Sequence, residues 1–276
     1  MNLNSSSELD LPAYFARVGY AGAREPTLAV LQALTAAHAH SIPFENLSVL
    51  LEQPVSLAPN AVFDKLVKQR RGGYCFEQNG LFLAVLAELG FRVTPISARV
   101  RLQRPRDFTP PRTHVFIRVE LGGQSWLTDV GVGALSLTAA LRLELDTEQV
   151  TPHETRRIVR EGERYFHQAK LGLEWADVCE FTLEEMPVID RVVANWFTSS
   201  HPESHFKNRL IVSRAGHAGR RINLLNDELS IREADGHAVR QSIADPPALL
   251  RTLREHFALE FPPETRFGSP GSPWPS

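Results

Sequence analysis

Over the first ninety residues the apolar positions recur at helical spacing, and after Phe91 they alternate. Leu11, Tyr14, Phe15 and Val18 form one helical stripe, with Asp10 as its cap, Pro12 in its first turn and Gly19 as its stop. Thr27 likewise precedes Leu28, Leu31 and Leu34, and Asn60 is expected to cap a stretch holding Val62, Phe63, Leu66 and Val67. Between them Ser41-Ile42-Pro43-Phe44 breaks the pattern, because a residue before proline is pushed out of the helical region. A further helix is predicted from Cys75 to a left-handed stop at Gly90.

Residues 91–102, 113–121 and 124–130 then read as strands, the last two joined through Gly122-Gly123 as a tight hairpin. Two more strands are expected at 156–160 and 164–169, then a helix carrying Val188, Val192, Val193, Trp196 and Phe197. Short strands near 208–213, 220–225 and 229–232 follow, and Asp245-Pro246 opens a last helix with Leu249, Leu250, Leu253 and Phe257. The Gly-, Pro- and Ser-rich tail, 268–276, is expected to be disordered. Helices, then strands, then mixed elements predict an α+β chain, with boundaries near 90 and 205 and no internal repeat. The apolar stripes are expected to be core, and His38-Ala39-His40 to be a solvated helix end.

Composition narrows the function. The 276 residues are 43% hydrophobic and 22% charged, enough for a sizeable core. A formal net charge of -2 provides no field to collect nucleic acid or an anionic membrane surface, so neither is expected as a partner. No apolar run approaches the ~20 residues of a membrane span, and the first ten residues lack a secretory pattern. The two cysteines, Cys75 and Cys179, are too few for a disulfide framework and lack Cys-x-x-Cys spacing. These features predict a cytoplasmic protein.

The segment Arg71-Gly72-Gly73-Tyr74-Cys75-Phe76-Glu77-Gln78-Asn79-Gly80 carries the strongest chemical signal. Its two glycines allow a tight turn into a helix, which sets Cys75 where free N–H groups and the positive dipole end favour a thiolate. A free cysteine is as readily core filler, the reading given to Cys179. A nucleophile needs a base, and the base an orienting acid. If Gly122-Gly123 is a two-residue loop, His114 falls opposite Gly131, and Asp129, two residues away, shares its face. Such diagonal neighbours have Cα atoms ~7 to 8 Å apart, within reach of a carboxylate-to-imidazole bond. Taken singly, His114 reads as a hydrogen-bonded barrel histidine and Asp129 as a strand-end residue bonding nearby backbone. Arg71 is expected to brace the loop by pairing with Glu45 or Glu77.

At these residues the sequence resembles the arylamine N-acetyltransferases. The family's Arg-Gly-Gly-x-Cys with Glu and Asn following, its Thr-His on a strand and its Asp-Val-Gly-x-Gly are matched at 71–80, 113–114 and 129–133. Ile42-Pro43-Phe44-Glu45-Asn46, and Trp196 to Pro202 leading to Phe206, are also similar. The resemblance implies a papain/transglutaminase-like fold of three parts. These are a helical bundle with the cysteine (1–90), a β barrel with the histidine and acid (91–205) and a C-terminal α/β lid (206–276). It implies Cys75, His114 and Asp129 as the triad, Phe44 and Phe206 as pocket lining, acetyl-CoA as co-substrate and no metal. The acceptor implied is an aromatic amine, hydrazine or N-hydroxyarylamine, and the enzyme a monomer or homodimer. Val132 stands where similar proteins often have Phe, which reshapes the acceptor pocket. Gly131 and Gly133 are candidates for contact with coenzyme A, or simply a turn. The rivals are a cysteine hydrolase or transglutaminase-like enzyme, and a non-catalytic protein whose Cys75, His114 and Asp129 bind a metal or sense oxidants.

Overall fold

The computed structural model describes residues 9–102, 104–269 and 272–274. Helix α1 (Leu11–Val18) begins where Asp10 accepts the Ala13 N–H at 2.9 Å, and α2 (Leu28–Ser41) where Thr27 accepts that of Val30. The short strand β1 (Phe44–Glu45) follows, then α3 (Leu47–Leu50) and α4 (Pro59–Phe63), which widens into a π-helical turn over Asp64–Lys68. Asn60 lies inside α4 rather than capping it, because Pro59 already takes the first turn. Helix α5 (Cys75–Glu88) completes this group. Its buried side chains Phe82, Val85 and Leu86 meet Tyr14, Leu31, Leu34 and Leu66 in one cluster, which continues into Ile117 and Val119 of the sheet beyond.

That sheet is antiparallel and eight-stranded: β2 (Arg92–Val100), β3 (His114–Leu121), β4 (Gln124–Thr128), β5 (Leu141–Arg142), β6 (Gln149–Val150), β7 (Thr155–Glu161), β8 (Arg164–Leu171) and β9 (Glu174–Glu185), in the order β5-β4-β3-β2-β9-β8-β7-β6. Gln149 of one edge strand bonds both the N–H and the carbonyl of Arg142 on the other, at 2.8 and 2.9 Å, which all but closes a barrel. Gly122 and Gly123 both have positive φ, as a two-residue hairpin turn requires, and the ladder runs from Leu121↔Gln124 to Ile117↔Thr128. Strand β9 is absent from the sequence reading. Val178, Cys179, Glu180 and Phe181 are buried consecutively, and bulges at Ile96/Ala98 and His167/Gln168 shift the register, so no period of two survives.

The remainder comprises α6 (Val188–Ser200), α7 (His205–Asn208), β10 (Ile211–Ala215), β11 (Arg221–Leu225), β12 (Glu228–Arg232), β13 (Ala238–Ser242), α8 (Pro246–Phe257) and the hairpin β14 (Phe267–Ser269) with β15 (Ser272–Trp274). The second sheet runs β1-β10-β11-β12-β13, so a strand from before the cysteine loop forms its edge. Two expectations are corrected. The tail contains the β14–β15 pair; 270–271 and 275–276 lie outside the described residues. The stripe on α6 is not core: Val188, Val192, Val193 and Trp196 are exposed, and the helix instead buries Ala194, Asn195 and Thr198.

Candidate active site

The loop before α5 is shaped by close approach. Neither Gly72 nor Gly73 has a positive φ, but a Cβ on Gly72 would lie 2.1 Å from the Pro43 carbonyl oxygen. The glycines therefore serve contact rather than the tight turn expected of them. Arg71 donates to Glu45 Oε1 at 2.7 Å, while Glu77 pairs with Lys65 at 2.6 Å and accepts the Tyr74 N–H, fixing the first turn. Arg71 thus braces the loop through Glu45. Cys75 becomes the first residue of α5, buried, with its thiol 3.4 Å from the Thr113 carbonyl.

His114 opens β3, and its Nε2 bonds Asp129 Oδ2 at 2.8 Å. Asp129 lies one residue past the end of β4, so the ladder does not reach it, yet the parity of the hairpin still points it at His114. Its other oxygen, Oδ1, accepts from Asn79 Nδ2 at 2.8 Å and from the Gly131 N–H at 2.9 Å. Asn79 also donates to Val115 O and accepts the Val130 N–H, tying α5, β3 and the 129–131 segment together. Asn79 was visible in the cysteine motif but carried no role; standing four residues after Cys75 on a helix, it shares that residue's face. His114 Nδ1 has no hydrogen bond of ordinary geometry, and the Cys75 sulfur is close enough to interact with the ring.

The same arrangement sets the charges. Burial disfavours the imidazolium of His114, but the Asp129 carboxylate and its hydrogen bond outweigh this and raise the pKa to about 10. Burial likewise disfavours the charged form of Asp129, and His114, Asn79 and the Gly131 N–H overcome it and hold the carboxyl below its usual range.

Comparison with known proteins fits this geometry. An N-acetyltransferase family model matches residues 27–265. An arylamine N-acetyltransferase of Mycobacterium tuberculosis is 43% identical over 91% of this chain and 89% of its own length. That of Escherichia coli is 40% identical over 89% and 87%. The chain belongs to the arylamine N-acetyltransferase family. A solved structure of the Mycobacterium marinum arylamine N-acetyltransferase in complex with CoA aligns with a TM-score of 0.87 and 41% identity, covering 90% of this chain and 92% of that one.

Other family positions fall in different places. Phe44 and Phe206 meet with ring centroids 6.0 Å apart, in the buried cluster that contains Tyr74 and Cys75. Val132 sits instead among Phe116, Leu127 and Phe181 in the barrel core. Gly131 packs on the nucleophile's own backbone: a Cβ there would lie 2.8 Å from Cys75 Cα. Gly133 lies beside the Phe44 ring. Cys179, read from the sequence as inert filler, is fully buried near the pair, and its thiol lies within 4.8 Å of the ligand atoms of His114 and Asp129. The possible metal-ligand group among the described residues therefore contains Cys179 rather than Cys75. Burial pushes the Cys179 thiol well above its usual range.

His38 is not a solvated helix end. It is fully buried, its Nε2 donates to Gln78 Oε1 at 2.7 Å, and its Nδ1 accepts from the Tyr14 hydroxyl at 3.0 Å. Gln78 in turn donates to the carbonyls of Pro43 and Gly73, so this chain of bonds ends on the cysteine loop. His40 packs against His153 and His217. Burial lowers His38 to about 4, and burial with the charge of Arg156 lowers His167 to about 3.

These shifts predict the acid limb of stability. A histidine with a depressed folded pKa contributes stability that is lost as pH falls below its unfolded value of about 6.5. With His38 and His167 both neutral when folded, these two alone should lower the unfolding free energy by about 3 kcal/mol per pH unit between about pH 6 and 4, and His40 and His153, lowered to about 4 by burial and neighbouring charge, steepen the fall. His114 acts oppositely: its contribution is present below about 6.5 and is lost as pH rises toward 10. Denaturant unfolding at pH 7, 6, 5 and 4 checks the acid limb, and flat stability down to pH 4 contradicts it.

Proposed function

We propose that this enzyme moves an acetyl group from acetyl-CoA to an arylamine, hydrazine or N-hydroxyarylamine through an acetyl-thioester on Cys75. The observation that carries the residue roles is the joint one: a helix-start thiol beside a histidine whose other nitrogen is held at 2.8 Å by a buried carboxylate. His114 takes the Cys75 proton, and the thiolate attacks the acetyl carbonyl carbon. The first N–H groups of α5, which have no intrahelical carbonyl to bond, offer donors for the resulting oxyanion. The C–S bond to coenzyme A breaks and its thiolate leaves with the proton from His114. The neutral amine then attacks the acetyl-cysteine, gives its proton to His114, and releases Cys75. Asp129 keeps Nε2 protonated and stabilises the imidazolium, and Asn79 with the Gly131 N–H keeps Asp129 in place.

Phe44 and Phe206 line the apolar approach to the thiol in this reading, while Val132 acts at one remove, through the barrel core. Gly131 and Gly133 set the close packing around Cys75 and Phe44, with any coenzyme A contact through the same backbone. The division into 1–90, 91–205 and 206–276 belongs to the proposal and is supported by buried clusters centred on the helical bundle, the barrel and the C-terminal sheet, the first reaching into the barrel at Ile117 and Val119 and the last taking in Leu47 and Leu50. So does a cytoplasmic monomer or homodimer acting on small molecules rather than nucleic acid or membrane, supported by the net charge of -2. Among the described residues no helix is long and apolar enough to cross a membrane.

Two-substrate kinetics test the scheme. The expected result is parallel double-reciprocal lines, with one equivalent of coenzyme A released before any amine is added. Intersecting lines without that burst mean direct transfer in a ternary complex.

A further inference from the structure

A cleft of about 320 Å³ opens between the end of β9, the residues leading into β3 and one face of α6. Cys75 does not itself line it, but the cleft adjoins the nucleophile: Thr113, in its wall, is the residue whose carbonyl meets the Cys75 thiol at 3.4 Å. Met186 and Ala194, also in the wall, share a buried cluster with Tyr74 and Cys75. Part of the wall is apolar, with Met186, Val193 and Phe197 among its lining residues, and the exposed stripe of α6 borders it. Such a wall suits the face of an aromatic ring, and the volume suits a one- or two-ring amine.

The cleft is also acidic. Glu184, Glu185 and Asp190 line it, and Arg112 is the one cation among the lining residues. Arg112 is already paired with Glu184 at 2.9 Å, and Arg191, outside the lining, faces Glu185. Asp190 has no ion pair or side-chain hydrogen bond among the described residues. Its place in the first turn of α6 makes a carboxylate welcome there, but supplies it no side-chain partner.

We propose that this cleft seats the acceptor, and that its carboxylates select amines bearing a positive charge at the end remote from the reacting nitrogen, against amines bearing a carboxylate there. This rests on the acetyl-transfer reading above. The apolar wall holds the ring, the anilino nitrogen points to Cys75, and the far substituent lies in the field of Asp190 and Glu185. A cleft whose lining carries an excess of one sign of charge concentrates the opposite sign and disfavours its own.

Three matched acceptors isolate the charge: 4-(aminomethyl)aniline, 4-(hydroxymethyl)aniline and 4-aminophenylacetate, in which a methylene insulates the reacting nitrogen electronically. With saturating acetyl-CoA, kcat/KM is expected to fall in the order cation, neutral, anion, the first exceeding the last by about tenfold. In the Asp190→Asn, Glu185→Gln double variant the cation-to-anion ratio should shrink to within about twofold, and added salt should compress it in the wild type. Glu174→Gln, in a remote hairpin, should leave the ratio unchanged. Equal rates for the three, a preference for the anion, or a ratio indifferent to the double variant overturns the proposal. Failure to acetylate even the neutral amine overturns the transfer reading on which it stands.

Discussion

Asp129→Asn is expected to lower acetyl transfer by about 10⁴-fold without unfolding the protein. The two donors at Oδ1, Asn79 Nδ2 and the Gly131 N–H, can be met by an amide only through its oxygen. The amide nitrogen is then turned toward His114 Nε2, which must accept rather than donate. The proton moves to Nδ1, the nitrogen that faces Cys75, and the imidazole can no longer take the thiol proton. Loss of the carboxylate also removes the charge that raises the imidazolium's pKa. Single-turnover rates, with iodoacetamide alkylation of Cys75 against pH, measure both effects. The alkylation midpoint should move to higher pH, and a rate within tenfold of wild type would remove the role given to Asp129.

Cys75→Ala should be more severe, with transfer reduced to background, a loss of at least about 10⁴-fold. The side chain removed is small and lies in an apolar cluster with Val115 and Met186, so folding and acetyl-CoA binding are expected to persist. Cys75→Ser should recover little, because a hydroxyl is far less acidic than a thiol and the same imidazole cannot ionise it usefully. Calorimetric binding of acetyl-CoA together with a circular dichroism spectrum separates lost chemistry from lost structure. Substantial transfer by Cys75→Ala means that another group carries the acetyl.

Much of this site was readable from residue order because it is built from local rules. Helix-start chemistry placed Cys75, and the parity of a two-residue hairpin placed His114 and Asp129 on one side, even though the ladder stops at Thr128. What escaped depends on contacts between distant segments. Cys179 reads as filler because it lacks the helix-start setting of Cys75, and β9, interrupted in register by bulges, carries no alternating pattern to place it; the pairing of β9 with β2 and of β2 with β3 brings it to the His114–Asp129 pair. His38 looked like a polar helix end, yet Tyr14 and Gln78, 24 and 40 residues away, satisfy both of its nitrogens and allow it to be buried. The glycines were legible as special, but their reason, the approach of Pro43 to Gly72 and of Cys75 to Gly131, is a tertiary fact. The apolar stripe of α6 follows helical spacing faithfully and still faces outward. Periodicity reports that a face is apolar and leaves open what covers it.

The central claim is that Cys75 carries the acetyl group, and intact-protein mass spectrometry after incubation with acetyl-CoA alone addresses it most directly. The expected result is one acetyl group per chain, located by peptide mapping on Cys75, absent from Cys75→Ala and discharged when an arylamine is added. An adduct on Cys179 or on a lysine, or acetyl transfer proceeding with no adduct on Cys75, would contradict it.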